Sequence, residues 1–154
     1  NQRPQLLWSF LLLKGNFMKY SESLKKNRDF QAVYRKGTSF ANKYLVMYVK
    51  NNHLEKNRIG ISVSRKVGNS VVRHRLTRLI REGYRLQEEY FHTGYDVVII
   101  VRVNAKDCTY HEIERAIYHL GKLHQIVERK SRNEKNTDKT DSLLSKVSVA
   151  VEEQ

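Results

Sequence analysis

A single cysteine, Cys108, rules out an internal disulfide and fits a reducing compartment. Acidic residues are scarce: 16 Asp and Glu stand against 29 Lys and Arg, a formal net charge of +13. A field of that sign attracts polyanions, nucleic acid above all, although an anionic membrane or no charged partner would also suit it. Long apolar runs are missing too. The run Leu6–Leu13 has eight residues, whereas a membrane-spanning helix needs about 20. The KGNFMKY that follows lacks the small residues of a signal-peptide cleavage site. No paired carboxylates and no Ser/His/Asp set stand out, and a nuclease working alone would need carboxylates to hold metal. What remains is a chain of 154 residues, enough for one domain with a core of ordinary size.

Composition divides the chain into three. Residues 1–17 differ from the rest and read as an added or upstream extension, with a natural start at Met18. From Arg129 to Gln154 the text is polar, with six Lys/Arg and five Asp/Glu, and is expected to be a disordered tail. The basic excess therefore lies in a domain over residues 18–128.

Within that domain helices and strands alternate. Asn27 can cap a short helix that places Phe30, Val33 and Tyr34 on one side and ends at Gly37. Tyr44 to Val49 predicts a strand with Leu45, Met47 and Val49 on one face and Tyr44, Val46 and Tyr48 on the other. From Arg58 to Ser64 a second strand turns Ile59, Ile61 and Val63 inward. Gly68-Asn69-Ser70 breaks it and offers a cap for a long helix from Val71 to about Phe91, burying Val72, Leu76, Leu79, Ile80, Gly83 and Leu86. The run VVIIV within Tyr95–Val103 predicts a central strand covered on both faces. Thr109 and Glu112 form a capping box for a last helix burying Ile113, Ala116, Ile117, Leu120, Leu123 and Val127. The order α-β-β-α-β-α, with an optional strand near Thr38–Asn42, predicts an α+β fold, a two-layer α/β sandwich.

The sharpest chemical signal is the stretch from Arg58 to Arg85, with eight Lys/Arg and one acid, Glu82. His74, Arg78, Arg81 and Arg85 form a stripe opposite the apolar seam, with Arg73 and Arg75 flanking the first turn. A solvated helix face usually mixes signs to gain i,i+4 pairs, and this one does not. Guanidinium forks and helix N-terminal amides both suit phosphate, so RNA or DNA contact is favoured here. Phe30, Tyr34, Tyr44 and Tyr48 either line a groove that stacks unpaired bases or form plain core; from the residues alone, core is the better reading. Other signals are weak. Arg65 stands where a phosphate-binding loop needs its second glycine. Cys108, His111, His119 and His124 are scattered as structural or surface residues are, not spaced as zinc ligands.

From Arg58 to Arg81 the text closely resembles the signature of the bacterial ribonuclease P protein subunit, R-x-G-[ILV]-S-V-S-[KR]-K-V-G-N-A-V-x-R-N-R-x-K-R-x-x-R. Gly60, Ser62, Val63, Ser64, Lys66, Val67, Gly68, Asn69, Arg73, Arg75, Arg78 and Arg81 match it. Upstream, Leu24-Lys-Lys-Asn-Arg-Asp-Phe30 with Tyr34, Gly37 and Tyr48 matches too, as does Gly94-Tyr-Asp96, so the resemblance spans about residues 24–125. It implies a left-handed βαβ crossover. It implies an endoribonuclease whose catalyst is an RNA subunit using Mg2+, with no cofactor held tightly by the protein, and a product tRNA with a mature 5′ end. By the same resemblance, Arg65, Lys66, Asn69, Arg73, His74, Arg75, Arg78 and Arg81 would bind the RNA subunit. Phe30, Tyr34, Tyr48, Ser39 and Arg73 would hold the single-stranded 5′ leader of precursor tRNA. The setting would be cytoplasmic, without a membrane partner, and weak self-association stays open. Two positions depart from the signature: His74 stands for asparagine and loses the amide's combined donor and acceptor, and Thr77 stands for lysine and loses one charge. A ribosomal-type RNA binder and an RNA-independent nuclease are the competing readings.

Overall fold

The computed structural model describes residues 18–128, so both terminal segments lie outside the described residues. The order is β1 (Ser21–Ser23), α1 (Asn27–Lys36), β2 (Thr38–Ala41), β3 (Leu45–Asn51), β4 (Asn57–Ser62), α2 (Ser70–Arg85), β5 (Tyr95–Val101) and α3 (Tyr110–Leu123), with short 3-10 turns at Glu88–Tyr90 and Val103–Ala105. One five-stranded mixed sheet forms in the order β1-β4-β5-β3-β2. β4 and β5 run parallel with α2 between them, the βαβ unit of the fold, while β3 pairs antiparallel with both β5 and β2.

Alternation decides which residues face which layer. Leu45, Met47 and Val49 meet Ile59, Val97, Ile99 and Val101 in the larger core, under Leu76, Ile80 and Tyr84 of α2 and Ile113, Ile117 and Leu120 of α3. α2 and α3 form the helical layer on this face of the expected α+β fold. The sheet's other face carries a smaller core of Leu24, Val33 and Val98, covered by α1 alone. β5 is central and buried on both faces because Val97 and Val98 serve opposite cores.

The optional strand at Thr38 is present as β2. β1 went unnoticed in the sequence because three polar residues, SES, carry no alternation; a buried network holds them. The Tyr84 hydroxyl lies 2.8 Å from Ser21 Oγ and accepts from Asn57 Nδ2 at 3.2 Å, while Asn57 Nδ2 also donates to the His92 carbonyl. Asn57 Oδ1 accepts from Tyr95 N, so one buried asparagine ties β4 to β5 and to the N-terminal strand. Glu88 adds its carboxylate to the backbone N–H of Tyr20 at 3.4 Å.

Three expectations are corrected. α2 ends at Arg85 instead of Phe91; Leu86 is 50% exposed and Glu88–Tyr90 turns the chain toward β5. α1 is preceded by Lys26 at the cap position without a side-chain cap bond, and Asn27 is its first helical residue. In α3, Leu123 is 40% exposed, and Val127 lies beyond the helix in a bridge to Phe91. The caps of the other helices are as expected. Asn69 Oδ1 accepts from Val72 N at 3.0 Å, and both arms of the Thr109–Glu112 capping box are made. Gly37 does end α1, and for a steric reason. A Cβ there would sit 2.5 Å from the Val33 carbonyl oxygen and 2.9 Å from that of Val49, where helix end and strand touch.

Candidate nucleic-acid interface

The face of the sheet under α1 is built in two rows. Ser39, Tyr48, Val98 and Gly60 align across four strands, and beside them lie Ala41, Val46, Ile100 and Ser62. α1 covers the first row in part. Val33 is fully buried against it, while Phe30, Tyr34 and Tyr48 pack around that small core and stay half-buried. Tyr34 and Tyr48 meet edge to face, with centroids 5.2 Å apart and planes at 79°. All three rings pack on the small core while part of each remains exposed, which is the core reading with a surface left over. The second row is less covered, though Ile100 still packs on the small core. Val46, Ile100 and Ser62 are half-buried and Ala41 and Ser39 exposed, a shallow apolar floor beside the rings.

Gly60 sets where Phe30 lies. A Cβ on Gly60 would fall 2.6 Å from ring carbons Cε1 and Cζ of Phe30, so the absence of a side chain is what lets the ring settle on β4. Phe30 also lines a small hollow with Leu24, Ile61, Thr77 and Arg81, and there the ring-bearing face meets α2.

The basic residues of α2 divide by what they touch. Arg78 and Arg81 are exposed, as is His74, and none has an ion-pair partner among the described residues. Arg73 is half-buried, and its Nε is buried with no hydrogen-bond partner among the described residues. Arg85 leaves the expected stripe by forking onto Glu82 through Nε, at 3.0 Å, and Nη2. The single acid of the stretch is thereby neutralised by its own helix. Arg75 commits two donors to backbone, Nη1 to the Lys106 carbonyl at 3.0 Å and Nη2 to that of Cys108 at 2.7 Å. Thr77 is not a solvent-facing gap in the charge. Its hydroxyl donates back to the Arg73 carbonyl at 2.9 Å, and its side chain turns into the hollow beside Phe30. Arg65 and Lys66 are exposed in the turn before α2, and Asn69 acts as its cap.

Arg58, counted with the basic stretch, belongs to the scaffold. It forks onto Asp96 at 2.8 and 2.6 Å and reaches Asp29 of α1 at 3.5 Å. Burial alone would raise the Asp96 pKa, but hydrogen bonds from Arg58 and Asn52 outweigh it and hold the carboxyl below its ordinary value. His124, set aside in the sequence as a structural or surface residue, is structural. Its Nε2–H donates to the Met47 carbonyl at 2.9 Å while Nδ1 faces the Thr38 hydroxyl at 3.5 Å. Burial pushes its pKa down, against the carbonyl contact that pulls it up. Among the described residues no group of three or more His, Cys, Asp or Glu side chains is placed to hold a metal ion, and no helix is long and apolar enough to cross a membrane.

A mixed sheet with a basic crossover helix on one face and an aromatic, half-covered floor on the other defines an α+β class that solved proteins share. The ribonuclease P protein of Staphylococcus aureus superposes with a TM-score of 0.64 at 38% identity, over 69% of this chain and 97% of that one. The Thermotoga maritima ribonuclease P protein gives 0.60 at 28% identity, over 64% and 93%. The family model described as Ribonuclease P matches residues 18–125, and the chain belongs to that family. The ribonuclease P protein component of Lachnoclostridium phytofermentans is 59% identical over 107 residues, 70% of this chain and 92% of its own. That of Alkaliphilus metalliredigens is 56% identical over 103 residues, 67% and 93%. Membership gives the protein a part in the ribonuclease P holoenzyme, and through it in the processing of tRNA 5′ ends.

Proposed function

We propose that this protein is the RNA-binding subunit of ribonuclease P, docking on a catalytic RNA through α2 and holding the 5′ leader of precursor tRNA on the sheet face beside α1. The observation that carries the reading is the meeting of two surfaces at one hollow. Phe30 comes to it from the ring-lined floor, and Arg81 from the unpaired cations of α2. Ring edges over a shallow apolar floor accept unpaired bases, and guanidinium groups at the margin accept the phosphates between them. Phe30, Tyr34, Tyr48 and Ser39 are the leader contacts, with Arg73 at the border. Arg65, Lys66, His74, Arg78 and Arg81 contact the RNA subunit, joined by the donors that Arg75 retains; Asn69 contributes by starting the helix. Hydrolysis of the phosphodiester belongs to the RNA subunit and its magnesium ions. The protein's part is to lengthen the substrate-binding surface and neutralise phosphate in the cytoplasm.

Reconstitution tests this. The protein combined with a bacterial ribonuclease P RNA at low magnesium should raise the cleavage rate of precursor tRNA, and alone should cleave nothing. Binding to the RNA without any gain in cleavage would fit a structural RNA binder and end the proposal, as would cutting by the protein alone.

A further inference from the structure

The end of the sheet where β3 begins and β4 and β5 finish brings three connections together with the N-terminus of α2: residues 42–44, 63–69 and 102–109. Side chains tie the first of these loops to the third, and α2 to the third, through backbone carbonyls. Asn42 Oδ1 accepts from the N–H of Tyr44 and Leu45 at 3.1 and 2.9 Å, and its Nδ2 donates to the Ala116 carbonyl. Arg102 Nη1 donates to the Asn42 carbonyl at 2.7 Å, and Asn104 Nδ2 to that of Lys43 at 3.4 Å. From the other side Arg75 holds the carbonyls of Lys106 and Cys108. Arginine and asparagine side chains thus fix the loops, while the ammonium groups of Lys43, Lys66 and Lys106 and the guanidinium of Arg65 are left on exposed residues.

No ion pair forms at this end among the described residues; Glu112 is bound in its capping box and also feels the charges of Arg115 and Lys43 at longer range. Asp107 is the one exposed acid in the three connections. Cations gathered at one end of the sheet repel one another, and an anion laid across them relieves that repulsion. No exposed ring stands among them. Tyr44 is half-buried, beneath the Lys43 ammonium at 5.3 Å from its centroid. A single strand gains its affinity by stacking, which this end does not offer; the fixed phosphate rows of a double helix need only cations at fixed positions.

We propose that this end, with Lys43 and Lys106 as its outlying contacts and Arg75 as the residue that positions the second of them, binds the phosphate backbone of a double-helical segment of RNA. The surface wraps from the start of α2 onto the loops, away from the ring-lined floor. It deepens the reading given under Proposed function and rests on it, the segment being part of the RNA subunit.

The test compares two doubly substituted full-length proteins binding a bacterial ribonuclease P RNA across a range of salt. Lys43→Ala with Lys106→Ala should weaken binding about tenfold and flatten the slope of log affinity against log salt by nearly two, at about 0.9 per lost contact. Lys36→Ala with Lys122→Ala removes the same charge from the last turns of α1 and α3, and includes a lysine that likewise lies over a ring, Tyr118. It should change both quantities by less than half as much. Binding to a single-stranded oligonucleotide should be alike for the two. If the loop variant unfolds at a lower temperature, Lys→Gln at both positions repeats the comparison at similar side-chain length without charge. Equal losses in both variants would overturn the inference and leave only a diffuse field, as would a loss seen on anionic lipid vesicles but not on RNA. A wild-type protein that neither binds the RNA nor stimulates it would remove the underlying reading as well.

Discussion

At the scale of single residues, the steric and protonic details make the clearest tests. Gly60→Ala places a methyl group inside the Phe30 ring's present position, and overpacking of this kind costs about 1–3 kcal/mol. Chemical denaturation should show that loss, together with weaker binding of leader-bearing tRNA as the ring is displaced; an unchanged midpoint would mean that Phe30 moves aside freely. Tyr48→Ala should cost about 1–3 kcal/mol of affinity for precursor tRNA and leave mature tRNA nearly unaffected, since only the former offers a base to stack. Equal loss for both ligands, with a marked fall in thermal stability, would make the ring a core residue alone. Acid should act through two groups. His124 is held neutral by burial, so its contribution is complete above the ordinary histidine pKa of about 6.5 and is lost as pH falls below that. Asp96 is held charged, so its contribution is complete above the ordinary carboxylate value of about 3.9 and disappears as pH falls further. His124→Gln should therefore have a thermal midpoint that changes less between pH 7 and pH 5 than that of the parent protein.

At the scale of elements, α2 is where sequence and structure agree most and where their difference instructs. The apolar seam through Leu76, Leu79, Ile80 and Gly83 and the Asn69 cap were legible because helical periodicity and cap chemistry are local. The roles of Arg75, Thr77 and Arg85 were not. A carbonyl from residue 106, a hollow shared with Phe30 and the choice of Glu82 over solvent are all set by packing. The same divide explains β1, whose pattern is too short to read and whose anchor, Tyr84, is 63 residues away along the chain. Within the candidate site, the rings and cations could be named from spacing and resemblance, but their meeting at one hollow required the fold. Arg78→Ala and Arg81→Ala should each reduce the salt slope of RNA binding by about 0.7–0.9 without lowering the thermal midpoint, because neither side chain touches the seam. A variant that binds normally but melts earlier would reassign its arginine to the scaffold.

At the scale of the whole molecule, a net charge of +13 opposes compaction, and polyvalent anions should relieve it. A few millimolar sulfate or phosphate should raise the thermal midpoint beyond chloride at matched ionic strength; identical midpoints would mean that general screening suffices. The strand order has a consequence of another kind, in time instead of charge. β5, which joins β4 to β3, is the last strand among the described residues, so before it is made the only pairings open to the other four are two ribbons, β1 with β4 and β2 with β3. Until Val101 has emerged from the ribosome, each ribbon keeps an open edge beside apolar residues, and the cations of α2 hang from an unfinished sheet. Pairings this distant along the chain form slowly. The nascent protein is therefore most exposed to aggregation, and to the polyanions around it, just before its hub strand arrives.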